Sequence, residues 1–118
     1  MLLREIAEIL QAQPLNCLSE LDIEIEAGFG ADLLSDVLMF AKENFVLLTG
    51  LTNRQVITTA DMVDARAVIF VRGKVPPPDV IAEAYVKRLP LLTTKYTLYE
   101  ACGRLWSAGL AGMDSTRS

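Results

Sequence analysis

The apolar residues of this chain repeat with three different periods, and each period predicts an element. Residues 2 to 11 place Leu3, Ile6, Ile9 and Leu10 on one face at helical spacing, and Pro14 keeps the helix from running on. Residues 1 to 14 therefore read as an amphipathic helix whose stripe must pack against something. The short "LNCL" that follows fits an edge strand. "DIEIEAGF" alternates, with Ile23, Ile25, Ala27 and Phe29 on one side and Asp22, Glu24, Glu26 and Gly28 on the other. That pattern predicts a half-buried strand with an acidic outer face. "FVLLT" (45 to 49), "AVIFV" (67 to 71) and "LPLLT" (89 to 93) are almost continuously apolar, as strands covered on both faces by helices are.

Helix-sized segments with recognisable starts separate these runs. "NRQVITTADMVD" begins at Asn53, a good N-cap, and "PPPDVIAEAYVKR" supplies Pro78 as a first-turn residue, with Asp79 and Glu83 close behind. "TLYEACGRLWSAG" opens with Thr97 and Glu100 at capping-box spacing, and Gly109 or Gly112 can end it. Leu98, Cys102, Leu105 and Trp106 are expected to form its buried stripe. Residues 111 to 118 read as a flexible tail. Strand starts near 23, 45, 67 and 90 invite a solenoid reading, but the L-x-x-L-x-L signature is missing and the intervening segments are full helices. Residues 15 to 110 are instead predicted to form a three-layer α/β domain. Its parallel or mostly parallel sheet of four to six strands is flanked by helices.

A chain of 118 residues with about half of them apolar, 52%, suffices for one such domain. Its net charge of -4 is unevenly spread: residues 1 to 59 hold nine acids and three bases, residues 60 to 118 six acids and eight bases. An anionic ligand is thus better suited by the second half. The adjacent pair Lys87 and Arg88 sits near a helix end, and no basic stripe interleaved with aromatics exists, so nucleic acid is not an expected partner. With no histidine, the chain lacks the commonest general base and the usual Ser/His and Cys/His pairs. Cys17 and Cys102 stand 85 positions apart without metal-ligand spacing, and read as small hydrophobes in a reduced, cytoplasmic protein. "MLLREIAEIL" carries Arg4, Glu5 and Glu8, unlike a secretory signal, and no apolar run is long enough for a membrane span.

In a parallel sheet all strand-to-helix loops emerge on one rim, where open α/β folds bind ligands. That rim is expected to hold Gly30, Ser35, Thr49, Gly50, Arg72, Gly73, Lys74, Thr94 and Lys95, a set of hydroxyls, backbone N–H groups and cations suited to a small anion. The same residues serve equally as ordinary turn glycines and solvated lysines. "GFGADLLSDVL" lacks the third glycine of a dinucleotide loop, and no Walker phosphate loop occurs. Asp32 is expected to cap the helix that follows it, in the place a phosphate would take. Asp32 and Asp36, four apart, are expected on one helix face. They are the basis of an alternative reading as a small metal-assisted enzyme with Lys95 or Arg72 as electrophilic partner. The favoured reading has no catalytic residue, no metal and no cofactor. Leu3, Ile6, Ile9 and Leu10, together with Ser35 and Asp36, are the candidate subunit interface.

The segments "GADLLSDVL", "FVLLTG", "ARAVIFVRGKVPPPDVIAEA" and "LPLLTTKYTLYEACGRL" together resemble the DRTGG domain family over roughly residues 17 to 110. The resemblance implies an α/β domain, often dimeric, that accompanies or regulates a partner enzyme and carries no catalytic residues of its own. Such domains occur alone and beside HPr kinase/phosphorylases, phosphate acetyltransferases and CBS-containing pyrophosphatases. The five letters that name the family do not occur here as a run; Thr49, Gly50, Leu51, Thr52, Asn53 and Arg54 form the nearest polar-glycine segment. The HPr kinase phosphate loop is absent, so phosphotransfer is not implied.

Overall fold

The computed structural model describes residues 1–40 and 42–113. Helix α1 (Leu3–Leu10) is followed by β1 (Gln13–Pro14), a 3-10 turn at Leu18–Glu20, and β2 (Ala27–Gly30). Then α2 (Leu34–Phe40), β3 (Phe45–Thr49), α3 (Arg54–Met62), β4 (Ala67–Phe70), α4 (Pro78–Val86) and β5 (Leu91–Thr93) alternate. Helix α5 (Leu98–Ser107) and β6 (Ala111–Gly112) complete the order. The strands form one sheet, β1-β5-β4-β3-β2-β6, parallel throughout except for β1 against β5. The chain is therefore the α/β domain that the continuous apolar runs predict.

Direction of winding decides which helix lies where. From β2 to β5 each strand is laid down beside the last, so right-handed crossovers put α2, α3 and α4 on the same face. Val37, Val56, Ile57, Ala60, Val80 and Ala84 from these helices meet Phe45, Leu47, Val68, Phe70 and Leu91 of the sheet. After β5 the chain returns across the sheet to place β6 beside β2, which carries α5 over the other face. There Ala101 and Leu105 of α5 share a second core with Leu3, Ile6 and Leu10 of α1 and with Val46, Leu48, Ile69 and Leu92. Both faces of β3 and β4 are covered, and every residue of those strands is buried.

Leu3, Ile6 and Leu10 are 0% exposed within a single chain. Burial under their own sheet thus takes the place of the subunit contact expected for them, and Ile9 is packed against the same core. Trp106 remains 49% exposed, so the buried stripe of α5 is narrower than expected.

Local corrections have local causes. "LNCL" forms no strand: Leu18 enters the 3-10 turn, and the antiparallel edge is built one step earlier by Gln13 and Pro14. In "DIEIEAGF" only the second half joins the ladder. Leu3 N–H donates to the Ile23 carbonyl at 2.9 Å and Ile25 N–H to the Met1 carbonyl at 2.7 Å, so the first half clasps the start of α1. The N–H groups of Glu26 and Ala27 both point to the Asn44 carbonyl, at 2.7 and 3.4 Å, a two-against-one pairing of the kind that makes a bulge. That extra residue reverses the alternation, and Ile25 joins the α1/α5 core while Ala27 joins the opposite one. Thr97 caps α5 by position but its side chain makes no cap hydrogen bond. Residues 111 and 112, expected in a loose tail, extend the sheet beside β2, and Met113 is 1% exposed; the remainder of that tail lies outside the described residues.

Candidate functional site

The strand order locates a crevice. The loop after β4 leads to α4 on one face, and the loop after the neighbouring β5 leads to α5 on the other, the arrangement at which open α/β sheets leave room for a ligand. Here the two loops are joined by backbone bonds. Arg72 N–H donates to the Tyr96 carbonyl and Gly73 N–H to the Thr94 carbonyl, each at 2.8 Å, while the Thr93 hydroxyl donates to the Lys74 carbonyl at 2.7 Å. Arg72 and Gly73 are consecutive left-handed residues, with φ of 58° and 66°. The turn lifts Arg72, Gly73 and Lys74 into solvent. A glycine suits the second position, but Arg72 carries the strain that a long side chain meets there.

Next to this turn, Asp32 bridges two strand ends. Its Oδ1 accepts the Gly50 N–H at 2.7 Å and the Thr49 hydroxyl at 3.0 Å, and the same hydroxyl accepts from Leu51 N–H at 3.1 Å. Asp32 precedes α2 and does not share a helix face with Asp36, which removes the geometry on which the paired-carboxylate enzyme reading rests. Gly50 is needed for close approach: a Cβ there would stand 2.7 Å from Arg72 Nη2 and 3.5 Å from Asp32 Oδ1. Asp32, Thr49, Gly50 and Arg72 thus form one polar cluster.

Thr94 is 1% exposed and its hydroxyl donates to the Leu10 carbonyl at 2.7 Å, tying the last turn of α1 to the end of β5. Beyond it, Lys95 is exposed, and the Tyr96 ring lies 4.2 Å under the Arg104 guanidinium. A cleft of about 410 Å³ opens here, between the end of α1 and the β5–α5 loop, lined by Leu10, Gln11, Gln13, Gly73, Thr93, Thr94, Lys95 and Tyr96.

Of the residues expected on the rim, Thr49, Gly50, Arg72, Gly73, Lys74, Thr94 and Lys95 come together at the ends of β3, β4 and β5. Gly30 is spent on packing, since a Cβ there would meet Cys102 Sγ at 2.6 Å and Leu98 at 3.2 Å. Ser35 is exposed on α2, outside this group. Gln11, Gln13 and Arg104 escaped the sequence reading because nothing in a linear pattern places the end of α1 against β5. Among the described residues, ion pairs join Arg4 to Asp22, Arg54 to Asp79 and Glu83, Lys87 to Asp61, and Arg104 to Glu100; none reaches Arg72, Lys74 or Lys95. Three cations outside these ion pairs therefore collect on this rim, with the Asp32 carboxylate near Arg72. The opposite rim has a larger hollow of about 730 Å³, but there Asp61, Asp64 and Glu43 stand among the cations and Lys87 is paired. No helix among the described residues is long and apolar enough to cross a membrane.

No protein-family model matches the chain, and no curated protein does. A solved structure does: the CBS and DRTGG domains of the regulatory region of Clostridium perfringens pyrophosphatase, complexed with the activator diadenosine tetraphosphate. The two share 16% sequence identity at a TM-score of 0.75, over 98% of this chain and 50% of that one. This chain thus spans about half the length of that structure, and what the two have in common is a DRTGG-like fold.

Proposed function

We propose that this chain is a non-catalytic regulatory or interaction module of the cytoplasm that binds a small phosphorylated or nucleotide ligand at the C-terminal ends of its strands. The observation that carries the reading is the set of cations, Arg72, Lys74 and Lys95, around a turn of exposed left-handed backbone at the sheet's crevice. Cations that outnumber the one nearby carboxylate, Asp32, and are held at a crevice by a stitched backbone favour an anion over a cationic or neutral ligand. The likeness in fold to a regulatory region solved with a nucleotide activator supports the same direction.

We also propose that the module is a homodimer acting on a partner enzyme. With the stripe of α1 buried, Ser35 and Asp36 on α2 remain as interface candidates. Around them Leu33, Leu38, Met39 and Phe40 are 59, 51, 75 and 46% exposed, an apolar surface that a second chain would cover.

Light-scattering mass and thermal melting with pyrophosphate and with nucleotides test both parts. A ligand at a hundred times its Kd should stabilise the fold by about 2.7 kcal/mol and raise Tm. The Arg72→Ala, Lys74→Ala, Lys95→Ala triple variant should lose that rise while melting near the wild-type temperature without ligand. An unresponsive wild-type chain would overturn the ligand reading, and a monomeric mass would overturn the dimer.

A further inference from the structure

The cleft beside Tyr96 carries an inference that goes deeper into the rim and rests on its reading as a phosphate site. We propose that this cleft is a subsite for the base of a nucleotide whose phosphates reach Lys74 and Arg72.

Size and wall come first. About 410 Å³ is in the range of small-molecule clefts. Tyr96 lines one side, with the Arg104 guanidinium 4.2 Å from its ring centroid. An aromatic ring at a cleft wall is a platform on which a flat heterocycle stacks.

The polar groups then meet the edge of the base. Thr93 and Thr94 have spent their hydroxyl protons on the Lys74 and Leu10 carbonyls. The amides of Gln11 and Gln13 make no hydrogen bond among the described residues, and both face solvent at the cleft. Each amide offers one donor and one acceptor side by side, the complement of a base edge with an adjacent acceptor and donor, such as adenine's ring nitrogen and amino group or guanine's O6 and N1–H.

Continuity supplies the phosphate path. Gly73 belongs both to the cleft and to the turn that presents Arg72 and Lys74, and Lys95 lines the cleft itself. A nucleotide seated with its base at Tyr96 has cations on the side where its phosphates emerge.

Calorimetric titration of the full chain with pyrophosphate, ADP and GDP tests this. ADP and GDP should each bind about tenfold or more tighter than pyrophosphate. In Gln11→Gly/Gln13→Ala, with glycine chosen because Gln11 has a φ of 50°, ADP affinity should fall to that of pyrophosphate while pyrophosphate affinity stays unchanged. Tyr96→Leu gives a second reading of the stacking wall, with the same expected loss for ADP and none for pyrophosphate. Pyrophosphate binding with no preference for either nucleotide, or an ADP affinity untouched by both variants, overturns the base subsite and leaves the phosphate rim standing. Failure of pyrophosphate and ADP alike overturns both.

Discussion

Asp32 Oδ1 accepts the backbone N–H of Gly50 at 2.7 Å, and this bond fastens the loop after β2 to the end of β3. A carboxylate next to a helix start would ordinarily serve that helix. Here the parallel pairing of Phe29 with Leu47 and Gly30 with Leu48 brings the neighbouring strand end within reach, and Ala31 N–H continues the ladder to the Leu48 carbonyl at 3.0 Å. The closer donors win, and Arg72 then packs over the same glycine.

Removing the acceptor should therefore cost stability. Asp32→Ala leaves Gly50 N–H and the Thr49 hydroxyl without this partner, for an expected loss of about 1–3 kcal/mol in urea unfolding. Asp32→Asn keeps an acceptor oxygen and should lose less. The same Asp32→Asn change deletes a negative charge beside Arg72, so pyrophosphate should bind more tightly to it than to the wild type. An unchanged urea midpoint in both variants would show that the bond contributes nothing.

Gly30 is expected to tolerate no side chain unless its neighbour shrinks. The Cβ of Gly30→Ala would stand 2.6 Å from Cys102 Sγ, which forces α5 away from β2 at a cost of about 1–3 kcal/mol. Adding Cys102→Ala removes the clashing sulfur, so the double variant should recover part of the loss. Additive losses in the double-mutant cycle would mean that the two positions are not in conflict.

These two residues also show how far a linear reading reaches. Continuous apolar runs reveal buried parallel strands because both faces of β3 and β4 are covered, and Asn53 is legible because a cap acts within its own turn: its side chain accepts Val56 N–H at 3.3 Å. The partners of Asp32 and Gly30 are not legible in this way. Gly50 is 18 positions from Asp32 and Cys102 is 72 from Gly30, and only the register of the sheet and the return of α5 bring them together. The stripe of α1 was visible as a stripe, but what it covers depends on the clasp by residues 21 to 25. Strand β6 has too few residues to carry a period, so it reads as tail.

Cys102 should be slow to react. Burial raises its thiol pKa above the ordinary 9.0, as burial and then Glu20 do for Cys17. Because the folded chain favours the protonated thiol, that contribution to stability is fully present below pH 9.0 and is lost as pH rises through the folded value. Alkylation of the native protein should accelerate at higher pH than that of the same thiols in urea. Coincident pH profiles would remove the burial effect.

The helix ends give the last prediction, because the same closure recurs with different residues. Ala12 N–H donates to the Ala7 carbonyl, Ala65 to Ala60, Leu89 to Ala84 and Leu110 to Leu105, each the long bond of a Schellman turn. The residue before each donor is left-handed: Gln11, Asp64, Arg88 and Gly109, with φ of 50°, 57°, 56° and 107°. Only the last is the glycine such a turn favours. A left-handed residue with a long side chain is strained by about 1–2 kcal/mol, against which glycine's extra freedom in the unfolded chain takes back about 0.5–1. Arg88→Gly should accordingly raise stability by up to about 1 kcal/mol. Asp64→Gly should gain less, since aspartate enters this region more readily than most residues. Gly109→Ala should move the other way, and by more, because its φ lies well beyond the left-handed helical value. Urea midpoints for the three variants check the order, and an Arg88→Gly variant less stable than wild type would show that the Arg88 side chain contributes more than its backbone strain removes.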